Sequence, residues 1–471
     1  MSKVILYELN EVPWRVVDTF VKKFPNSSFA HILKESLQYT TLTKDSGELH
    51  PWTTWPTLHR GVYNDTHQIT FLNQAIQTTY KPTWEFLAEK NIPVGIFGSL
   101  QSWPVPQKGS YSFYIPDTFA QESQTLPESI EAFQRFNLAQ TRRDGGVVAR
   151  RVSLSWQSIK DLFHMFQNGL TPKTFFLLLR QLIREVLNKN FRNIRSIYQS
   201  PVAFDLFFNL LAKHKPSYVT FFTNHVAGMM HRYWKYLYPE DFLYKLKGNS
   251  DYFKAHAVLR AMEIADEQLK KIKTFADQEG YALIIAASMG QEAIDRGEYL
   301  GQLHIINMEK FCQAIHYEGT IQHNLAMSPD FSFEFSNEKD LINFQQCVLK
   351  LTDSNGTPVF GFKQSGLTLN INLQTTASLV RAGGLYRNQK MEKLTFKDLG
   401  ISLEKRDPGT GYHQPEGIAI FYKKGLQPSK ERIVIESIAM APTILSLFDV
   451  PLPNYMASPI KDVLQSLQRL S

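Results

Sequence analysis

Cysteine is almost absent from this 471-residue chain. Cys312 and Cys347 lie on unrelated segments without metal-type spacing, so they neither make nor suggest a disulfide framework. Long apolar runs are also missing. The greasiest stretch, Phe175-Phe176-Leu177-Leu178-Leu179, is broken by Arg180, which excludes a membrane-spanning helix. There is no low-complexity tract and no internal repeat, which argues against disorder. The opening residues, Met1-Ser2-Lys3-Val4-Ile5-Leu6-Tyr7-Glu8, turn acidic too soon for a signal peptide. A soluble protein in a reducing, cytoplasmic setting is therefore expected. Hydrophobic residues make up 43% of the chain, enough for a large core in more than one minimal domain.

Negative charge is the other shortage, and it is local. The net charge is +7, and residues 142–195 hold 11 Lys/Arg against 3 Asp/Glu, so this segment alone accounts for the excess. Its pattern, Leu162-Phe163-x-x-Phe166 and then Phe175 to Val186, is helical and amphipathic. Two readings stay open: a surface for a phosphate-rich ligand, an anionic glycan or a membrane face, or a solvated helical insertion.

Three continuous apolar runs read as buried strands. Val4-Ile5-Leu6-Tyr7 ends at Asn10-Glu11, and Tyr218-Val219-Thr220-Phe221-Phe222 ends at Thr223-Asn224. Tyr281-Ala282-Leu283-Ile284-Ile285-Ala286-Ala287 ends at Ser288-Met289-Gly290. Alternating with helices, such runs predict a parallel sheet covered on both faces, with ligands outside its carboxyl edge. Two segments break the rhythm. Residues 131–199 read as a basic helical insertion and residues 315–380 as a small β-containing cap, with 1–130, 200–314 and 381–471 forming the α/β core.

Near the end, His413 stands in a Gly- and Pro-punctuated loop, Gly411-Tyr412-His413-Gln414-Pro415, just ahead of the apolar run Ile418-Ala419-Ile420-Phe421. A loop histidine before a buried strand presents its imidazole to a metal or an anion. Farther on come Ala441-Pro442-Thr443 and Pro451-Leu452-Pro453. Together these segments resemble the carboxyl-terminal signature of the alkaline phosphatase superfamily, in its type I phosphodiesterase and nucleotide pyrophosphatase branch. The resemblance covers roughly residues 1–75, 215–300 and 405–465. It implies a three-layer α/β sandwich with a mostly parallel central sheet and insertions. It also implies divalent-metal chemistry on phosphate or sulfate esters with a Thr or Ser nucleophile.

Carried over residue by residue, His413 is the final loop ligand. The family's first Asp-Gly falls on Asn10-Glu11, where Asn10 could coordinate through its carbonyl oxygen and Glu8 or Glu11 could supply charge. Thr54, in Thr54-Trp55-Pro56, matches the nucleophile, with Thr53 in reserve; counting back from Gly61 lands instead on Pro51. His231 falls on the next His, and the Asp before it on Asn224, or on Ala227 if the spacing is strict, with His225 as an extra imidazole. The family's Asp-His-Gly becomes Ser288-Met289-Gly290, where both ligands are absent and Gln291 is the nearest polar substitute.

The expected reading is a phosphodiesterase-type enzyme with one zinc-like ion, manganese being an alternative, held by His231, His413 and Asn224 or Glu11. Thr54 attacks phosphorus while Arg60, and His225 nearby, face the phosphate of a small molecule or glycan. The rival is a pseudoenzyme that binds an anionic ligand or a protein partner. Nucleic-acid binding rests only on the basic insertion, which shows no recognised motif. Peripheral membrane contact through that insertion remains open.

Overall fold

Six consecutive buried residues, Val4–Leu9, form the first strand, β1. A run that apolar belongs in a strand with both faces covered. The computed structural model describes residues 2–72, 74, 76, 78–142, 156–242, 252–326, 330–387, 392–405, 409–429 and 431–470. In it β1 lies inside an eight-stranded sheet. The other strands are β2 (Ser36–Leu42), β3 (Val94–Phe97), β4 (Tyr111–Ile115), β5 (Tyr218–Thr223), β6 (Ala282–Ala286), Glu416–Tyr422 and Ile433–Glu436. Across the sheet they run Ile433–Glu436, β2, Glu416–Tyr422, β6, β1, β5, β3, β4.

One strand, Glu416–Tyr422, pairs antiparallel with both β2 and β6, while the remaining pairings are parallel. This reversal positions the site. Residues after β1, β5 and β6 emerge at the carboxyl edge, and residues just before a reversed strand emerge at the same edge.

Side-chain parity divides the core in two. Ile5, Tyr7 and Leu9 face one helical layer with Val16, Phe20, Phe221 and Leu283. Val4 and Leu6 face the other with Trp55, Leu58, Ile284 and Ile444. The molecule is thus a mixed α/β sandwich with a mostly parallel central sheet, as expected. A third core draws on residues from Leu303 to Ile401, a wider span than 315–380. It is built around a four-stranded sheet, Gln322–Asn324, Asp330–Glu334, Phe360–Ser365 and Thr368–Leu373. The basic insertion is helical, with helices Glu131–Arg142, Trp156–Gln167 and Pro172–Leu187. Arg143, Arg150 and Arg151 of the charge run lie outside the described residues.

Parity also decides the role of Glu8. It points to the second layer, where its Oε1 lies 3.1 Å from His59 Nε2, both side chains being fully buried. Ser99 Oγ donates to the same oxygen at 2.9 Å. Glu8 therefore does not bring its charge to the carboxyl edge. Removing one member of so buried a pair leaves the other's polar atoms without a partner, whereas replacing both members with apolar groups removes the problem. His59→Leu is expected to lower stability by about 3–5 kcal/mol in urea unfolding. Glu8→Met/His59→Leu should recover most of that loss. A double variant as unstable as the single one would show that the two side chains are not coupled.

Candidate metal centre

Glu11 follows β1 with a left-handed backbone, φ 60°. Glycine adopts that conformation freely, whereas other residues are penalised by roughly 1–2 kcal/mol. The sequence places glutamate there, and its carboxylate turns into the carboxyl edge of the sheet. Three groups meet its Oε2. His231 Nε2 lies 2.9 Å away and His413 Nε2 3.5 Å away. Gln291 Nε2 donates a short hydrogen bond. Asn10 Nδ2 donates to Oε1 at 2.8 Å. Glu11, His231 and His413 can each aim one ligand atom at a common point, these atoms lying within 4.8 Å of one another.

Backbone features hold each imidazole. His231 belongs to helix His225–Leu237, which kinks at Tyr233. The kink has a local cause. Thr410 N donates to the His231 carbonyl at 2.7 Å, and Thr410 Oγ1 accepts from Lys235 N at 3.0 Å. One threonine thus takes over both ends of the bond that residue 235 would make to residue 231 in a regular helix. Next to it, a Cβ on Gly411 would sit 2.5 Å from the Met230 carbonyl, so only glycine lets this strand lie against the helix. The Gly411 carbonyl then accepts from His231 Nδ1 at 2.9 Å. Because a carbonyl cannot donate, Nδ1 carries a proton, and Nε2 faces Glu11, donating to it when the ring is charged and offering its lone pair to a cation when the ring is neutral. Two acceptors at that distance need a proton or a cation between them.

His413 arrives through strand Gly411–Gln414, which pairs antiparallel with Gly290–Ala293 so that His413 stands opposite Gln291. The His231 and His413 rings lie 5.1 Å apart, centre to centre. Burial pulls the His413 imidazole down, but the Glu11 charge outweighs it and leaves the group above its ordinary value. Burial pushes Glu11 up, and the charges of His413 and His231 reverse this, holding the carboxyl well below the usual range.

A zinc-type ion with ligands at about 2.0–2.1 Å separates tetrahedral ligand atoms by roughly 3.3 Å. The 2.9 and 3.5 Å spacings from Glu11 Oε2 bracket that value. Two imidazole nitrogens and a carboxylate also form the donor set of a catalytic zinc site with an open position. The residues fit one ion.

Other expected residues take different places. Asn10 Oδ1 accepts from Trp55 Nε1 at 2.8 Å, and Asn10 Nδ2 also donates to Asn224 Oδ1 at 2.7 Å. Both asparagines therefore brace Glu11 from behind, and the carbonyl oxygen of Asn10 is already engaged. Thr54 is fully buried in helix Pro51–Arg60, its hydroxyl 2.7 Å from Ser288 Oγ. Thr53 adjoins it. Met289 after β6 is fully buried and brings no ligand.

Two assignments are corrected. His225 binds Thr223 Oγ1 at 2.7 Å and the Ala261 carbonyl at 3.0 Å, so both ring nitrogens serve the fold. Burial pulls its imidazole down to about 4. Arg60 stands at the opposite end of its helix from Thr54, about 9 Å along the axis. It is buried there, its Nε and Nη1 lack hydrogen bonds among the described residues, and burial pulls the guanidinium down to about 10.

Residues that pattern reading missed complete the rim. The His50 ring stacks on Trp52 at 4.3 Å and meets His413 edge-on at 5.8 Å. Glu48 accepts a short hydrogen bond from Tyr412. His50 precedes Pro51 at the start of helix Pro51–Arg60, which was the available signal. Thr410 carried none.

No protein-family model matches the chain, and no curated protein sequence does either. Among solved structures, murine ectonucleotide pyrophosphatase/phosphodiesterase 5 is similar over 99% of this chain and 100% of that one, at 8% identity and a TM-score of 0.45. Its inactive form in complex with AMP gives the same figures, a TM-score of 0.45 at 8% identity over 99% and 100% of the two chains. The human counterpart is similar over 99% of each chain, at 8% identity and a TM-score of 0.43.

Proposed function

We propose that this chain is a hydrolase or transferase acting on phosphate esters through one divalent ion, with zinc the best match to its donors. The observation that carries the reading is the meeting of Glu11, His231 and His413 at the carboxyl edge of the sheet, with the His231 proton committed to the Gly411 carbonyl. A bound ion would act there as a Lewis acid toward a phosphoryl oxygen. Asn10 and Gln291 fix the rotamer of Glu11, and Thr410 and Gly411 fix His231. Thr54 serves as the nucleophile, with Ser288 accepting its hydroxyl proton or donating to it. The motif order in the sequence supports the same chemistry.

A second reading has its own observation. Thr54 is fully buried and already bonded, and the residues directly after β6, Ala287-Ser288-Met289-Gly290, hold no carboxylate. This favours a scaffold that binds a phosphate-bearing ligand without turning it over. Assays with aryl phosphate mono- and diesters and an aryl sulfate, with zinc or manganese supplied, separate the two. The enzyme reading expects chelator-sensitive turnover of a diester. Saturable binding of the same ester without turnover would move the assignment to the scaffold.

A further inference from the structure

Helix Pro172–Leu187 is packed inside out. Its buried positions are polar: Thr174, Gln181 and Glu185. Gln181 Nε2 donates to the Phe191 carbonyl at 2.7 Å and to Glu185 Oε1 at 3.0 Å. Glu185 in turn pairs with Arg195. Leu177 and Leu178 pack partly buried against the first core, but most apolar residues point outward, with Phe176 62%, Ile183 53%, Val186 84% and Leu187 79% exposed. Leu179 and Leu182 fill the stripe between them, and Phe163 and Phe166 extend it from the neighbouring helix. Of the 17 large hydrophobic residues exposed on the described surface, 8 lie between positions 163 and 187, so the patch is a concentration and not scatter. A helix of a soluble protein normally turns its apolar stripe inward. A contiguous exposed stripe marks a surface that something else covers.

The charge pattern selects the cover. At 100° per residue, Arg180 and Arg184 fall along one flank of the stripe, beside Lys173, which pairs with Glu267 at 3.0 Å. Lys189 and Arg192 continue beyond the helix end, both exposed. From 172 to 195 the only acidic residue is Glu185, which faces inward. A second copy of this chain would set these cations against themselves. An anionic surface would neutralise them while its apolar layer took up the stripe. No described helix is long and apolar enough to cross a membrane, so the contact would lie along the surface.

We propose that helix Pro172–Leu187 is a membrane-docking helix that lies in the plane of an anionic phospholipid bilayer, burying Phe176, Leu179, Ile183 and Val186 among the acyl chains. The full-length protein is tested by sedimentation with phosphatidylcholine vesicles that contain or lack phosphatidylserine. Wild type should bind the anionic vesicles at least about tenfold more tightly than the neutral ones, and raising salt from about 0.1 to about 0.5 M should weaken that binding. Phe176→Ser/Ile183→Ser/Val186→Ser should lose binding about tenfold or more with an unchanged melting temperature, because its positions are exposed. Arg180→Glu/Arg192→Glu should abolish the preference for anionic vesicles. Equal binding of wild type to both vesicles, binding to neither, or variants that bind like wild type would each overturn the proposal. A wild-type dimer in solution, dissolved by the serine variant and blind to vesicles, would assign the face to a second copy instead.

Discussion

Glu11→Gln is expected to purify with less than about a tenth of the metal that wild type retains, measured by inductively coupled plasma mass spectrometry. Wild type should retain about one equivalent. The substitution keeps the shape of the side chain and removes its charge. It leaves two imidazoles without the carboxylate that both of them approach. His231→Ala and His413→Ala should each lose the metal to a similar degree, because each removes one of three ligands. Chelator should lower the wild-type melting temperature by a few degrees, because an ion at 100 times its dissociation constant stabilises the folded state by about 2.7 kcal/mol. The variants should no longer respond to chelator. This pattern separates a metal centre from a plain ion pair. If Glu11 only balances charge on the two histidines, its neutralisation lowers the melting temperature equally with metal and with chelator. A wild type that carries no metal and ignores chelator would remove the metal centre.

Geometry that sequence periodicity controls was legible in the residues themselves. The runs of β1, β5 and β6 are mostly apolar because both of their faces are buried, so their ends marked the carboxyl edge. His413 was legible as a ligand candidate, but its arrival at that edge depends on the reversed direction of Glu416–Tyr422, which no local pattern encodes. Strand parity could have withdrawn Glu8 from the site, since it shares a face with Val4 and Leu6. Helical spacing could have withdrawn His225. It stands six residues from His231, or 240° around the axis, so the two rings diverge. The kink made by Thr410 was hidden, because a loop threonine that captures a helix carbonyl from about 180 residues away leaves no trace in composition or period. The helix Pro172–Leu187 showed its amphipathic stripe plainly. Periodicity reports that a stripe exists, and only packing shows which side faces the core.

Thr54→Ala should eliminate turnover of an activated aryl phosphodiester, by about a thousandfold or more in kcat, while the protein stays folded. The hydroxyl makes one side-chain bond, to Ser288, so its loss costs about 1 kcal/mol of stability. Its backbone amide, which donates to the His50 carbonyl at 3.0 Å, is untouched by the change. Thr54 is tied to the metal centre by a short chain: Trp55 next to it donates to Asn10, and Asn10 donates to Glu11. A nucleophile there lies on the framework that orients the ligands. Thr53→Ala is the register control and should change kcat by no more than a few-fold. Thr57→Ala is a poor control, because its hydroxyl bridges His67 and the Asp45 carboxylate at 3.0 and 2.7 Å. Removing it would leave Asp45 short of a donor and destabilise the fold by about 1–3 kcal/mol. Ser288→Ala tests activation: if Ser288 orients the Thr54 hydroxyl, kcat should fall about tenfold or more with KM unchanged. Turnover in Thr54→Ala within a few-fold of wild type, with Thr53→Ala inactive, would move the nucleophile one residue back. Full activity in both would remove covalent catalysis by this helix and leave water as the attacking group.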